Sequence, residues 1–358
     1  MKRWITNVVV NSKNNAFGKA YTDIAEIAKG MSYEVLNIMP YSDSEDADDA
    51  LISRIDGITA GVLPGDMVVY QYPSFDGARF DENFIDRMKV RGITVTVFIH
   101  DVFALFLSAD GSGFHDMNLF NKADYVITHG HKMSKWLEEH GVKTPMITKN
   151  LFDYLIDEPE AKIENELKKE LVVCGNLLKS PFLVEWNSET PLTAYGPASI
   201  VGRDGISQKM PLAEKVDYKG QLSQDELLRA IPKDKFGLAW DTDMPENMFE
   251  NANFYGFFKN YTRYNNPHKI SLYLTMGMPV IVWHESAVAE LVEKYHLGLT
   301  IYSLSEIDAR IQALSEEDLE RFKQAANQFS RLLRNGFFTR KALEEIEEKI
   351  LLNHWEKE

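Results

Sequence analysis

Short apolar runs alternate with amphipathic stretches along almost the whole chain. The runs are rich in β-branched and aromatic residues, as buried strands are, and the stretches between them repeat with the period of a helix. This alternation is typical of parallel sheets covered by helices, because each crossover between parallel strands needs a connecting helix. In the first half we predict strands at Ile5–Val10, Tyr33–Ile38, Met67–Tyr72, Thr94–Ile99 and Tyr125–Thr128, and helices at Ala16–Lys29, Asp46–Ala60, Asp81–Arg91 and Lys132–His140.

The alternation stops at a charged segment and then begins again. The segment Asp157–Glu170 (DEPEAKIENELKKE) contains no strand-like run, so we interpret residues 157–170 as a linker between two α/β, Rossmann-like domains, residues 1–156 and 171–330. In the second domain we predict strands at Leu171–Cys174, Leu192–Tyr195, Lys215–Tyr218, Gly237–Trp240, Pro279–Trp283 and Leu299–Tyr302, and helices at Gln224–Ile231, Pro267–Gly277, Ser286–Lys294 and Leu304–Leu314. From Ser315 onward the chain is mostly helix-forming, interrupted near Asn335 and Gly336, and residues 331–358 form a predicted helical tail.

Composition narrows the class of protein. The 358 residues suit two domains of about 150 to 180 residues each, and 44% hydrophobic with 26% charged residues is ordinary for a soluble protein. The net charge of -15 argues against nucleic-acid binding through a basic surface. Cys174 is the only cysteine, which excludes a disulfide framework and suits the reducing cytoplasm. No apolar run approaches the ~20 residues of a membrane span, so we expect a cytoplasmic protein.

The stretch Tyr264–Trp283 (YNNPHKISLYLTMGMPVIVW) predicts a helix that leads directly into a buried strand. Asn266 is a candidate helix cap, Pro267 suits the first helical position, and Gly277 permits a left-handed stop. Lys269 then lies in the first turn, where it opposes the helix dipole unless an anion or a carboxylate compensates. Together with the free N–H groups of that turn, Lys269 forms a candidate anion site suited to a diphosphate. The alternative is a lysine that extends into solvent at a helix end.

A second candidate site follows the predicted strand Thr94–Ile99, where His100 and Asp101 stand at the carboxyl edge of the sheet. Open α/β sheets place ligands at this edge. Either side chain could remove a proton from an attacking hydroxyl, and Asp101 is the first choice, with His100 as an alternative or an orienting partner. The alternative is that Asp101 only caps the next helix. Asn11 and Ser12, in the loop after the first strand, are weaker candidates for contact with an acceptor.

Asp241-Thr242-Asp243 has the spacing of a metal-binding D-x-D motif. Because Lys269 already offers cationic stabilisation, we expect no metal cofactor at Asp241 and Asp243. A zinc site is also not expected, because no histidine pair has ligand spacing matched by carboxylates on one helix.

The pattern Lys269-x-x-x-Tyr273-Leu274-x-x-Gly277-x-Pro279-Val280-Ile281 resembles the nucleotide-sugar helix of two-domain GT-B glycosyltransferases. Many retaining members carry a glutamate for the ribose where this chain has Leu272. Further stretches resemble two bacterial groups. IDGITAGVLPGDMVVYQYPSFD, VFIHDV and RNGFFTRKAL resemble the glucosyltransferases that extend O-linked N-acetylglucosamine on serine-rich repeat adhesins. FGLAWDTD with the stretch around Lys269 resembles the β-1,6-galactofuranosyltransferases of surface polysaccharides.

The resemblance implies two Rossmann-like domains that face a cleft, with the C-terminal helix crossing back to the first domain. It also implies an inverting transfer of a hexose, such as glucose, from a UDP-sugar to a glycan acceptor, for example O-GlcNAc on a serine-rich glycoprotein. A homo-oligomer is expected. The implied donor contacts are Asn176, Lys179, Tyr218, Asn266, His268 and Lys269. Asp241 and Asp243 are expected beside the donor sugar. Three alternatives stay open: a galactofuranosyltransferase, a nucleotide-sugar 2-epimerase that acts without an acceptor, and an inactive glycosyltransferase-like partner subunit.

Overall fold

The computed structural model describes residues 1–9, 16–41, 46–107, 115–157, 166–202, 205–245, 248–249 and 256–355. Asn11 and Ser12 lie outside the described residues, as do residues 158–165 of the predicted linker. No helix in the described part of the chain has the length and apolar composition that crossing a membrane requires.

The first half of the chain forms a six-stranded parallel sheet in the order β2-β1-β3-β4-β5-β6. Its strands are β1 (Arg3–Val8), β2 (Glu34–Ile38), β3 (Met67–Tyr72), β4 (Thr94–Ile99), β5 (Tyr125–Thr128) and β6 (Met146–Thr148). Its helices are α1 (Ala16–Lys29), α2 (Asp48–Ile58), α3 (Ala78–Val90), α4 (Phe103–Phe106), α5 (Asp116–Lys122) and α6 (His131–Glu139). Every residue of β3 is buried, as expected of a central strand covered on both faces.

The second half forms another six-stranded parallel sheet, in the order β11-β8-β7-β12-β13-β14. The strands are β7 (Leu171–Cys174), β8 (Leu192–Tyr195), β11 (Val216–Tyr218), β12 (Phe236–Ala239), β13 (Val280–Trp283) and β14 (Gly298–Ile301), with a separate antiparallel hairpin of β9 (Ser199–Val201) and β10 (Ser207–Lys209). The helices are α7 (Gln224–Ala230), α8 (Phe258–Tyr261), α9 (His268–Thr275), α10 (Ala289–Lys294), α11 (Ile307–Gln312), α12 (Glu316–Arg334) and α13 (Phe337–Trp355). Chain order reverses between β7 and β12, the switch point of Rossmann-like sheets.

The last helix, α13, packs against the first half of the chain. Leu343 belongs to the same buried cluster as Ile5 of β1, and the carboxylate of Glu347 accepts hydrogen bonds from Arg3 at 2.7 Å and from the Tyr33 hydroxyl at 2.8 Å. The preceding helix, α12, packs against α9 in the second half. The two terminal helices therefore connect both halves of the molecule.

Several short elements were not predicted: β6, the hairpin β9–β10, α4, α5 and α8. Each has at most seven residues, which is too short for periodicity to separate a helix or strand from a loop. Three predicted helices were also wrong by three residues at their starts. The predicted Leu304–Leu314 begins with a 3-10 turn, Leu304–Glu306, the predicted Ser286–Lys294 begins at Ala289, and the predicted Asp81–Arg91 begins at Ala78.

Candidate functional site

A cavity of about 500 Å³ lies between the two sheets and is lined by residues from both halves of the chain. It opens at the carboxyl ends of β4, β7 and β12, the edge at which α/β sheets bind ligands. The predicted site residues that line it are His100, Asp101, Asn176, Lys179, Asp241, Asn266, His268 and Lys269. Residues that were predicted from separate motifs are thus brought together around one space.

Two predicted residues lie beside the cavity and do not line it. Tyr218 is 42% exposed, and its hydroxyl donates to the backbone oxygen of Gly196 at 2.9 Å. Because Gly196 is itself a lining residue, Tyr218 stands at the cavity edge. The carboxylate of Asp243 accepts a hydrogen bond from the Lys259 backbone N–H at 3.0 Å.

The residues that follow β7 line the cavity on the side of the second half. Gly196 has φ of 137°, and a Cβ atom there would lie 1.8 Å from the backbone oxygen of Gly175, so only glycine fits. Asn176 follows Gly175 in the chain, and its side-chain oxygen accepts a hydrogen bond from the Leu178 N–H at 3.1 Å. This cap starts a 3-10 turn that ends at Lys179, which brings the lysine ammonium to the cavity.

Lys269 lies in the first turn of α9, as predicted, and it has a carboxylate partner. Its ammonium group is 2.5 Å from Asp241, and the two side chains are only 12% and 10% exposed. Asp241 follows the end of β12, the neighbour of the strand that leads out of α9. The carboxylate therefore compensates the unfavourable position of the lysine in the helix dipole. The position of Lys269 does not by itself require a bound anion.

The predicted cap at Asn266 was wrong. Helix α9 begins at His268, with Pro267 in the cap position. The Asn266 side chain instead donates to the backbone oxygens of His129, at 2.9 Å, and of Asn150. These two residues belong to the first half of the chain, so the hydrogen bonds of Asn266 hold the start of α9 against the first half. Gly277 has φ of 75°, which confirms the left-handed stop after the helix.

His100 is buried and neutral. Its ring stacks on Tyr21 with a centroid distance of 3.6 Å, and its Nε2 is 2.8 Å from the side-chain oxygen of Gln71. Because the Gln71 amide nitrogen donates to two backbone oxygens, the imidazole is the donor and holds its proton on Nε2. Burial, followed by the positive charge of Lys149, keeps the pKa of His100 well below its usual value.

Asp101 is the carboxylate of the first half that faces the cavity. One of its oxygens accepts a hydrogen bond from the Tyr261 hydroxyl at 2.9 Å. Burial raises the pKa of Asp101, while the charge of Lys179 and the Tyr261 hydrogen bond oppose the rise. A carboxylate with a raised pKa holds an abstracted proton more readily than an exposed one, which suits a general base.

Two tyrosines in this arrangement were not predicted. Tyr21 and Tyr261 both line the cavity. Tyr21 is a regular buried position of α1, and Tyr261 reaches Asp101 from 160 positions away in the chain. The presence of these two tyrosines in the cavity depends on tertiary packing, which leaves no signal in the local pattern of the sequence.

The two aspartates of the D-x-D pattern each have a partner within the protein. Asp241 pairs with Lys269, and Asp243 with a backbone N–H. Within the described ranges, no group of three or more His, Cys, Asp or Glu side chains is arranged to hold a metal ion.

Known proteins match this chain over nearly its whole length. The family described as "Glucosyltransferase 3-like, N-terminal domain" matches residues 2–151, and "Glucosyltransferase 3-like, C-terminal domain" matches residues 171–346. Glucosyltransferase 3 of Streptococcus gordonii is 30% identical over 96% of this chain and 97% of its own length. Beta-1,6-galactofuranosyltransferase WbbI of Escherichia coli (strain K12) is 24% identical, over 94% of this chain and 95% of its own.

Among solved structures, sucrose-phosphate synthase from Thermosynechococcus elongatus superposes with a TM-score of 0.62. It covers 99% of this chain and 100% of its own at 11% identity. This likeness confirms the predicted GT-B fold, in which two Rossmann-like domains face a cleft. Together with the two family matches, it shows that the chain belongs to the glucosyltransferase 3-like family of GT-B glycosyltransferases.

Proposed function

We propose that the protein transfers a hexose from a UDP-sugar to a hydroxyl group of a glycan acceptor, with inversion at the anomeric carbon. One observation carries the proposal: Asp101 from the first half and the cations Lys179 and Lys269 from the second half line the same cavity. The cations suit the diphosphate that departs, and the carboxylate suits the hydroxyl that attacks. No metal is needed in this scheme, because the lysines and the first turn of α9 supply the positive charge.

The identity of the sugar is supported by the relatives. The streptococcal relative is named a glucosyltransferase, which favours glucose as the transferred sugar. An acceptor with O-linked N-acetylglucosamine on a serine-rich glycoprotein is our proposal from the adhesin-group motifs. Inversion is supported by Leu272, a buried apolar residue that lines the cavity where many retaining members carry a glutamate.

A panel of donors tests this proposal. The purified protein is mixed with UDP-glucose, UDP-N-acetylglucosamine or UDP-galactofuranose, and its melting temperature is measured. At a hundred times its Kd, the true donor should raise Tm by about 3 to 4 °C. The same donors are then offered with a synthetic serine-rich peptide that carries O-linked N-acetylglucosamine. We expect transfer from UDP-glucose, with a β-anomeric coupling in the NMR spectrum of the product.

The same panel separates the other candidates. The match to the galactofuranosyltransferase makes transfer from UDP-galactofuranose the second candidate function. Formation of an epimer from UDP-N-acetylglucosamine without acceptor would indicate an epimerase. A protein that neither binds UDP nor hydrolyses any donor would be an inactive partner subunit, and an α-linked product would contradict inversion.

Asp241→Asn is expected to tighten the binding of UDP by about fivefold, which corresponds to ~1 kcal/mol. In the protein without ligand, Lys269 is neutralised by Asp241 at 2.5 Å, so a diphosphate must compete with this carboxylate for the lysine. Asparagine keeps the shape and removes the competing charge. Isothermal titration calorimetry with UDP measures the change, and UDP is used because it lacks the transferred hexose that Asp241 could contact.

The matched control is Asp217→Asn. The Asp217 carboxylate pairs with Lys219 at 2.8 Å near the same end of the second sheet, but its side chain is 55% exposed. This variant should leave the affinity for UDP unchanged. Weaker binding of UDP by Asp241→Asn would mean that the carboxylate holds Lys269 in place rather than competing for it.

A further inference from the structure

A segment of the second half of the chain lies directly against the first half. This bridging segment, residues 256–264, contains α8. The backbone N–H of Phe257 donates to the backbone oxygen of Phe106 in α4 at 2.7 Å. The rings of Phe106 and Phe258 stack with a centroid distance of 6.4 Å. The bridging segment therefore closes one side of the cavity by packing against α4.

Tyr261, in the bridging segment, places its hydroxyl between two groups of the first half. The hydroxyl oxygen accepts a hydrogen bond from the Val102 backbone N–H at 3.3 Å, and the hydroxyl donates to Asp101 at 2.9 Å. Since an N–H can only donate, its presence directs the hydroxyl proton toward the carboxylate. The side chain is only 4% exposed, and its ring packs on Phe106 at 5.2 Å. The orientation of the hydroxyl is thus fixed on both sides.

The bridging segment also contacts residues on the donor side of the cavity. The Lys179 ammonium lies 4.8 Å from the centre of the Phe258 ring, a cation–π contact. The backbone N–H of Lys259 donates to Asp243 in the loop that also carries Asp241. One short segment therefore contacts the proposed base, a proposed diphosphate ligand and the loop after β12.

We infer that Tyr261 is a positioning residue for Asp101: supplied by the donor-binding domain, it orients the carboxylate of the acceptor-side domain when the two domains are seated together. The inference rests on the proposed function, in which Asp101 is the base. A carboxyl group held in one rotamer by a charge-assisted hydrogen bond meets an attacking hydroxyl in one geometry. The base is therefore complete only where the bridging segment is docked on α4.

The hydrogen bond also affects the charge of the carboxyl group. The titratable and charged groups around Asp101 are Tyr261 of α8, Lys179 after β7, Asp116 of α5 and Tyr21 of α1. Burial and Asp116 raise the pKa of Asp101, and Lys179 and the Tyr261 hydroxyl lower it. Removal of the hydroxyl takes away a group that stabilises the charged form, so the pKa of Asp101 rises further.

Tyr261→Phe tests the inference. It keeps the ring that packs on Phe106 and removes only the hydroxyl. We expect kcat for hexose transfer to fall about tenfold, with unchanged affinity for UDP. The acid limb of the pH profile of kcat should move to higher pH, because a base with a raised pKa becomes protonated at higher pH. Thermal unfolding of the variant is compared with that of the wild type, as a control that the variant is folded.

The matched control is Tyr264→Phe, on the same bridging segment, which should leave kcat and the acid limb unchanged. A second test places Tyr261→Phe in an Asp101→Asn background, where the hydroxyl has no base to orient and its removal should cost nothing more. A loss of kcat in Tyr261→Phe with an unmoved acid limb would reduce Tyr261 to a packing residue and overturn the inference, and so would unchanged kcat. If Asp101→Asn itself kept full turnover, the proposed base would be wrong, which is a separate outcome.

Discussion

Lys269→Ala is expected to weaken the binding of UDP by about a hundredfold, which corresponds to ~2.7 kcal/mol. Two effects act in the same direction. The diphosphate loses a charge-assisted hydrogen bond at the start of α9, where the helix dipole alone is a weaker attraction. Asp241, only 10% exposed and paired with Lys269 in the native protein, is left with its negative charge facing the diphosphate. Isothermal titration calorimetry with UDP measures the loss.

A double variant separates these two effects. In Lys269→Ala/Asp241→Asn the stranded carboxylate is gone, so we expect part of the affinity to return while binding stays weaker than in the wild type. Lys235→Ala is the control for removal of a lysine of the second domain, because its ammonium pairs with Glu170 at 2.7 Å and does not line the cavity. Equal UDP affinity of the wild type and Lys269→Ala would refute a diphosphate site at this helix.

The sheets could be predicted because strand formation here depends on local pattern. Met67–Tyr72, Thr94–Ile99 and Tyr125–Thr128 were predicted with both ends correct, since each is a short run rich in β-branched and aromatic residues, as buried parallel strands are. The hairpin β9–β10 could not be found in this way. None of the residues in its two strands is buried, and only the pairing of the two strands with each other defines them.

Most residues of the site could be predicted from the sequence, but the contacts between them could not. Residues at strand ends converge because parallel strands end at one edge, which a sequence reveals. The partners of those residues are set by tertiary packing. Asparagine is a favoured helix cap, yet the side-chain amide of Asn266 donates to backbone oxygens more than a hundred positions away in the chain. Lys269 was expected to need an anion or a carboxylate, and the structure shows the carboxylate: Asp241 supplies the negative charge from a neighbouring strand end.

Asp101→Asn is expected to lower the rate of hexose transfer by about 10²- to 10⁴-fold while UDP still binds. Asparagine has the shape of aspartate and its side-chain oxygen can still accept the Tyr261 hydrogen bond, but the amide cannot take the proton of an attacking hydroxyl. Removal of a negative charge near Lys179 should, if anything, tighten the binding of UDP slightly. Single-turnover transfer from UDP-glucose measures the rate, and calorimetry measures the affinity.

The pH dependence gives the same prediction a second readout. Because burial raises the pKa of Asp101, the wild-type rate should fall on the acid side at a higher pH than an ordinary aspartate would give, since only the ionised form accepts a proton. The residual rate of Asp101→Asn should lack this acid limb. If the acid limb of the pH profile persisted in Asp101→Asn, it would report the titration of another group.

His100→Gln decides between the two neighbouring candidates for the base. His100 donates from Nε2 to Gln71, and its pKa lies well below the usual value because of burial and the charge of Lys149. An imidazole with so low a pKa binds an abstracted proton weakly, so it is a poorer base at neutral pH than the Asp101 carboxylate. We therefore expect His100→Gln to cost less than Asp101→Asn. A large loss of transfer in His100→Gln together with nearly full activity in Asp101→Asn would assign the base to the histidine instead.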